Sequence, residues 1–332
     1  MHSEALPEQG PTMTTFRYFS LGRHAMRVAL IHADVKHGDK VMLPGFICRD
    51  LLAAINSLGA LPIFYDVDEE LKPLHLDISV KPKAIIAVNY FGFEQDLEPF
   101  KIFSDQTRAL IIEDNAHGFL SRDINNNLLG QRTKFGITSF RKTLKVVDGA
   151  TLATTLDEYS ISEQIEFSGQ SIKIRSKLLR VFSSIERKTK LPIVGMAQTA
   201  SRLIRFILTG SKFQTSDPEV EYQIPGLPNP HATSIERMSS IDQYSEINRR
   251  RNLFIKILPE VQKLKLRPIF TDLPNGVCPY GLPLYAPIES KKLLSKLARR
   301  HRVTLMTWPE LPQEILPTAP VHYKQVWLLN FR

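Results

Sequence analysis

Two cysteines, Cys48 and Cys278, are all that 332 residues provide, so no disulfide framework can be read from the chain. Nor does any uninterrupted apolar run approach the ~20 residues that span a bilayer as a helix. The opening stretch MHSEALPEQG is acidic and polar and lacks the apolar centre of a secretory signal, which makes the cytoplasm the expected compartment. Internal repeats and extended low-complexity tracts are absent, and Asn125-Asn126-Asn127 reads as a turn between strands. No zinc-finger, RNP-type or helix-turn-helix pattern accompanies the positive charge. Nucleic acid is therefore not an expected partner, and no metal site is expected.

What is present is ordinary for a globular protein: 43% hydrophobic and 23% charged residues. The length suffices for a substantial core and more than one folded lobe. The net charge of +9 is unevenly placed. Between residues 165 and 212, ten basic side chains stand against Glu166 and Glu186, a surplus of eight. A solvated helical face is the plain reading. The sharper ones are an anionic-ligand surface, or a peripheral membrane contact over 173–207, where Leu178, Leu179, Val181, Phe182, Leu203 and Ile204 interleave the charges.

Residues 22–205 carry the clearest order. Helical spacing of Ala25, Val28, Ala29 and His32 predicts a helix from Arg23 to Ala33, and His37-Gly38-Asp39 then reads as a turn. Short apolar runs follow at 41–43, 61–65, 84–88 and 109–112, with helix-like stretches at 50–57 and 97–104. Strands buried on both faces and alternating with helices argue for an α/β fold with a mainly parallel sheet. The breaker-rich segment 224–230 suits a linker, so the expected division is 1–222 and 223–332. The second unit reads as one long helix from Ser234 to about Leu258, a strand at 282–288, a helix at 291–300 and a last strand at 326–329.

The most informative stretch is Ile111-Ile112-Glu113-Asp114-Asn115-Ala116-His117-Gly118. In open parallel sheets ligands sit beyond the carboxyl ends of strands, so Asp114 would face a crevice. A buried carboxylate needs a cationic or hydrogen-bonding partner, and a protonated pyridine nitrogen is one. The plain alternative is that Asp114 caps a turn and Glu113 faces solvent. Some twenty residues on, Phe135-Gly136-Ile137-Thr138-Ser139-Phe140-Arg141-Lys142 ends a strand with two hydroxyls and a lysine, followed by the loop Val146-Val147-Asp148-Gly149. A lysine amine can bond a cofactor aldehyde, and nearby hydroxyls suit a phosphate. Most isolated lysines are surface charges.

These segments together resemble the DegT/StrS family of pyridoxal-phosphate (PLP) sugar aminotransferases. The similarity is carried in order by Gly22-Arg23-His24-Ala25-Met26, Gly38-Asp39-Lys40-Val41-Met42-Leu43-Pro44, the stretch 59–68, Asn89-Tyr90-Phe91-Gly92, Glu113-Asp114-Asn115-Ala116-His117 and Ser139-Phe140-Arg141-Lys142. The resemblance implies an aspartate-aminotransferase-like fold (PLP fold type I): a large PLP lobe, a smaller C-terminal α/β lobe, and a homodimer. It implies that Lys142 forms the Schiff base and shuttles protons, Asp114 binds the pyridinium nitrogen, and His117 lies near the ring. Ser139 and the amides around Gly22 and Arg23 would hold the phosphate. Cys48 falls where relatives often place an aromatic residue beside the ring, and would line the pocket.

Two departures stand out. The gap between the Ser-Phe pair and the lysine is short, which makes Lys145 a rival; the spacing back from Asp148-Gly149 favours Lys142. The loop at 147–150 is also poorer in glycine than is usual for the family. The implied reaction is transfer of an amino group, with glutamate the expected donor, to a nucleotide-linked keto-sugar. A PLP-dependent dehydratase or lyase, and a non-catalytic scaffold of the same fold, are the alternatives.

Overall fold

A computed structural model describes residues 14–156, 218–224 and 227–332, together with 181, 182, 185 and 189. The basic cluster of 165–212 and the proposed membrane face at 173–207 fall almost wholly outside the described residues.

The larger sheet has the order β1-β7-β6-β5-β4-β2-β3. Its strands are β1 (Thr15–Phe19), β2 (Lys40–Pro44), β3 (Leu61–Tyr65), β4 (Ala84–Val88), β5 (Leu110–Asn115), β6 (Phe135–Thr138) and β7 (Ala150–Thr154). β2 to β6 pair in parallel, while β1 and β7 close one edge antiparallel. The run Ala84–Val88 is buried at every position, as expected for a central strand covered on both faces. The expected mainly parallel α/β sheet is observed. The edge strand β1 and the antiparallel return of β7 are additions to the sequence reading.

Helix α1 (Gly22–His32) covers one face, turning Ala25, Met26, Val28, Ala29 and Leu30 inward. α2 (Leu52–Asn56) lies beside it, and α3 (Glu98–Thr107) packs on β4 and β5 through Phe100 and Phe103. Between β3 and β4 the chain crosses to the other side of β2, so strand order reverses at the β2/β4 boundary. Such a switch point opens a crevice beyond the strands' carboxyl ends.

The C-terminal sheet has the order β10-β11-β9-β8. It contains β8 (Arg267–Pro268), β9 (Gly281–Tyr285), β10 (Thr304–Thr307) and β11 (Val326–Asn330). The single long helix expected from Ser234 is two. After the four-residue α4 (Phe140–Thr143) come α5 (Ala232–Ser239) and α6 (Gln243–Lys263), then α7 (Lys291–Arg300). The break has a local cause: Asp242 leaves helical geometry and caps α6, its Oδ1 accepting from Ser245 N at 3.1 Å. The strand expected at 282–288 stops at Tyr285, two residues before Pro287, which cannot donate to a ladder. Phe254, Leu328 and Tyr280 share one hydrophobic cluster with Phe46, Phe91 and Ile112, so the two sheets pack on a continuous core. No described helix is long and apolar enough to cross a membrane.

Candidate active site

Asp114 is the penultimate residue of β5, in register with Val88 of β4 and Ile137 of β6. Side chains alternate along a strand, so Glu113 and Asp114 go to opposite faces. Glu113 is fully buried and receives Arg132 Nε at 2.8 Å, the Arg132 amide at 3.0 Å and Asn89 Nδ2 at 2.8 Å. It does not face solvent. Asp114 is 5% exposed, and among the described residues its hydrogen-bond donor is the Ala116 amide, 2.9 Å from Oδ1. That is the turn-capping contact foreseen as the plain alternative. It uses one carboxylate oxygen. Burial raises the Asp114 carboxyl above its ordinary range, opposed by the charge of Lys142.

Lys142 lies in α4, immediately after β6. Its Nζ stands 3.3 Å from His117 Nε2. The rival Lys145 is exposed. Lys142 also acts electrostatically on Asp114 and on Cys48, placing the amine among three of the residues singled out from sequence. The Cys48 thiol is pushed up to about 11, by burial first and then by Asp50, with Lys142 and Arg23 pulling the other way. It is a neutral wall of the site rather than a nucleophile.

His117 is clamped. Its ring stacks on Tyr280 (4.4 Å between centroids, 5° between planes) and on Phe91 (5.6 Å, 14°), with Trp308 against its edge at 5.1 Å. The Phe91 amide points at Nδ1 across 3.4 Å, which leaves Nε2 as the edge turned toward Lys142. Burial, with Lys142 adding to it, drives the imidazole well below its ordinary value, so the ring is neutral at pH 7. Phe91 holds a left-handed backbone, φ 56°, a conformation that costs a bulky residue about 1–3 kcal/mol and persists where surroundings over-determine it.

Cations gather at the N-terminus of α1. Its first turn holds no acid, and Leu21 provides no side-chain cap. Arg23 pairs with Asp50 through Nη2 at 2.9 Å, yet among the described residues its buried Nη1 has no hydrogen-bond partner, and neither do the buried Arg141 Nε and Thr143 Oγ1. Burial and the nearby Arg141 lower the Arg23 guanidinium, Asp50 opposing. Ser139 is buried at the start of α4, its Oγ donating to Gly149 O at 3.4 Å. Two guanidiniums with donors unused among the described residues, beside a helix start without a side-chain cap, suit a phosphate. A pyridine nitrogen beside Asp114 and an aldehyde at Lys142 would complete PLP, so the residues present fit that cofactor.

Sequence reasoning missed Tyr280 and Trp308, which reach the site from far along the chain, and Phe91 and Arg141, which lay inside the quoted motifs without a role. The loop after Lys142 is fixed by Asp148, whose Oδ1 accepts from His231 N at 3.0 Å and Ser234 Oγ at 2.8 Å at the start of α5.

Residues 19–185, half of the 332 residues, match the DegT/DnrJ/EryC1/StrS aminotransferase family. The chain belongs to that family. GDP-perosamine synthase of Escherichia coli O157:H7 is 28% identical over 162 residues, 47% of this chain and 44% of that protein's length. A crystal structure of a DegT/DnrJ/EryC1/StrS aminotransferase from Brucella abortus superposes with a TM-score of 0.61 at 16% identity, covering 95% of this chain and 80% of that one. The PLP form of a protein from Streptococcus pneumoniae named as a sugar aminotransferase gives 0.63 at 14%, covering 96% and 82%. These likenesses establish the fold expected from sequence, the aspartate-aminotransferase-like PLP fold type I. Asp114, His117, Ser139 and Lys142 all lie within the residues matched to the DegT/DnrJ/EryC1/StrS family.

Proposed function

We propose that this chain is a PLP-dependent aminotransferase acting as a cytoplasmic homodimer, carrying an amino group from glutamate to a nucleotide-linked keto-sugar. One observation carries the reading. Lys142 and the buried Asp114 lie at the carboxyl ends of the neighbouring strands β6 and β5, and guanidinium donors of Arg23 and Arg141 without a partner among the described residues lie near the start of α1. The GDP-sugar in the name of the E. coli relative supports the acceptor class.

Bound PLP would supply an electron sink for a carbanion next to the transferred nitrogen. The protein's own work is then divided among named groups. Lys142 Nζ would hold the cofactor and would take and return the proton at the reacting carbon. Asp114 would pair with a protonated ring nitrogen. His117, neutral and locked by Phe91 and Tyr280, offers a fixed donor edge next to the amine. Arg23, Arg141, Ser139 and the α1 amides anchor the phosphate, and Cys48 closes the wall. The division of the chain into a cofactor-binding unit, 1–222, and a smaller unit, 223–332, is part of this proposal.

The test is direct. Purified protein given PLP should develop a visible band that borohydride fixes onto Lys142, and Lys142→Ala should lose it while Lys145→Ala keeps it. Glutamate should bleach that band, and a nucleotide keto-sugar should restore it. A chain that takes up no PLP would instead be a scaffold of this fold. Bleaching by a nucleotide sugar without glutamate would point to a lyase.

A further inference from the structure

Arg250 is fully buried on α6. Its charge is balanced one turn earlier by Glu246, whose Oε1 accepts from Nε at 2.6 Å. Burial would raise that carboxyl, but the hydrogen bonds and charges of Arg249 and Arg250 hold it below its ordinary value. Three of the four remaining guanidinium N–H donors go to main-chain carbonyls. Nη2 donates to Thr143 O at 2.9 Å, and Nη1 to Pro279 O and Tyr280 O, each at 3.3 Å. Thr143 directly follows Lys142. Tyr280 is the residue whose ring lies 4.4 Å from His117, and His117 in turn meets Lys142 Nζ at 3.3 Å.

The contacts therefore close a circuit: Lys142 through its own backbone to Thr143, across Arg250 to Tyr280, through the stacked rings to His117, and back to the lysine amine. Replacing a buried ion pair by packed hydrophobic side chains is often neutral or stabilising. The geometry gives this guanidinium a role besides stability. Its planar fork is suited to fixing two carbonyls at a set separation.

We infer that Arg250 is a positioning residue for Lys142, fixing the distance between the lysine turn and the Tyr280–His117 stack. This rests on the assignment of Lys142 as the cofactor-bonding amine. Among the described residues, the titratable groups facing that amine are Asp114 from β5, His117 from the turn after it, and Cys48 from the loop after β2. A shifted lysine turn changes its distance to each of them.

Two variants test the circuit at different points. Arg250→Lys keeps a charge for Glu246, but a single ammonium cannot span the Thr143 and Tyr280 carbonyls. Tyr280→Leu removes the ring and leaves Arg250 in place, which keeps the test available if Arg250→Lys does not fold. In the cofactor-free chain, Arg250→Lys should speed amide exchange in peptides covering 140–144 and 278–282 by about tenfold, the loss of one such hydrogen bond. In the PLP-loaded protein, both variants should move the pH midpoint of the visible band by about half a unit or more in the same direction. Wild-type exchange over 140–144 and a wild-type midpoint, with only a lower melting temperature, would reduce Arg250 to a structural role. If wild-type protein forms no borohydride-fixed band, the PLP reading fails by itself; the exchange rates then still decide whether Arg250 holds the Lys142 turn.

Discussion

Lys142 Nζ and His117 Nε2 lie 3.3 Å apart, and the imidazole that makes this contact is driven below its ordinary value by burial and by the lysine. The folded chain therefore keeps His117 neutral where the unfolded chain would protonate it. Its contribution to stability is full above the unfolded value near 6.5 and is lost as pH falls from there toward the depressed folded value. Over that window stability should drop by about 1.4 kcal/mol per pH unit from this group alone. His117→Gln removes the titration, so its melting temperature should fall less than that of the wild type between pH 6.5 and pH 5. Parallel curves for the two proteins would show that His117 is not the group responsible.

Asp114 has the opposite sign. Its folded carboxyl is raised, by burial above all, so the cofactor-free fold loses stability as pH rises from the ordinary carboxylate range through the folded value. Asp114→Asn should accordingly melt higher than the wild type at pH 7 without cofactor. It should also hold PLP less well, because a neutral amide cannot pair with a pyridinium. Loss of one charged hydrogen bond, about 1.5–3 kcal/mol, corresponds to about 10–100-fold in affinity. A stabilised chain with weakened PLP binding is the expected pair of results, read by calorimetry and by titration of the visible band. Unchanged affinity would remove Asp114 from the cofactor.

Much of this was legible because parallel strands are local and dense in signal. The runs at 61–65 and 84–88 coincide with β3 and β4, and the run at 109–112 led to β5, whereas the roles given to Asp114 and Lys142 came from the family resemblance. The rest depended on long-range geometry. Tyr280 and Trp308 are ordinary apolar residues in their own segments, and only the packing of the second sheet against the first brings them to His117. The break between α5 and α6 was hidden because Ser240 and Asp242 continue a pattern compatible with one helix, whereas a cap is a matter of backbone conformation. Arg250 carried no signal, since a buried arginine is indistinguishable in sequence from the exposed Arg249 and half-buried Arg251 on either side of it.

Gly149 offers the most demanding steric test of the site. Its φ is +137°, and a Cβ there would lie 1.9 Å from Phe140 Cε2. Phe140 sits between Ser139 and Arg141 and is fully buried with Leu144 and Val146, so it has no free direction in which to yield. Gly149 N also donates to Ser20 O at 2.7 Å, and its carbonyl accepts the Arg141 amide at 3.1 Å, which ties this residue to the turn holding Lys142. Gly149→Ala combines overpacking with an unfavourable backbone angle and should cost about 2–4 kcal/mol. Because Phe140 must move, labelling of Lys142 by borohydride in the presence of PLP should fall as well. Gly22 supplies the contrast: a Cβ there meets Ile137 Cγ2 at an ordinary 3.6 Å, so Gly22→Ala should stay within about 0.5 kcal/mol of the wild type. Chemical denaturation of both variants, with Lys142 labelling measured alongside, separates the two cases; equal stabilities would mean that the Phe140 ring does not constrain the lysine turn.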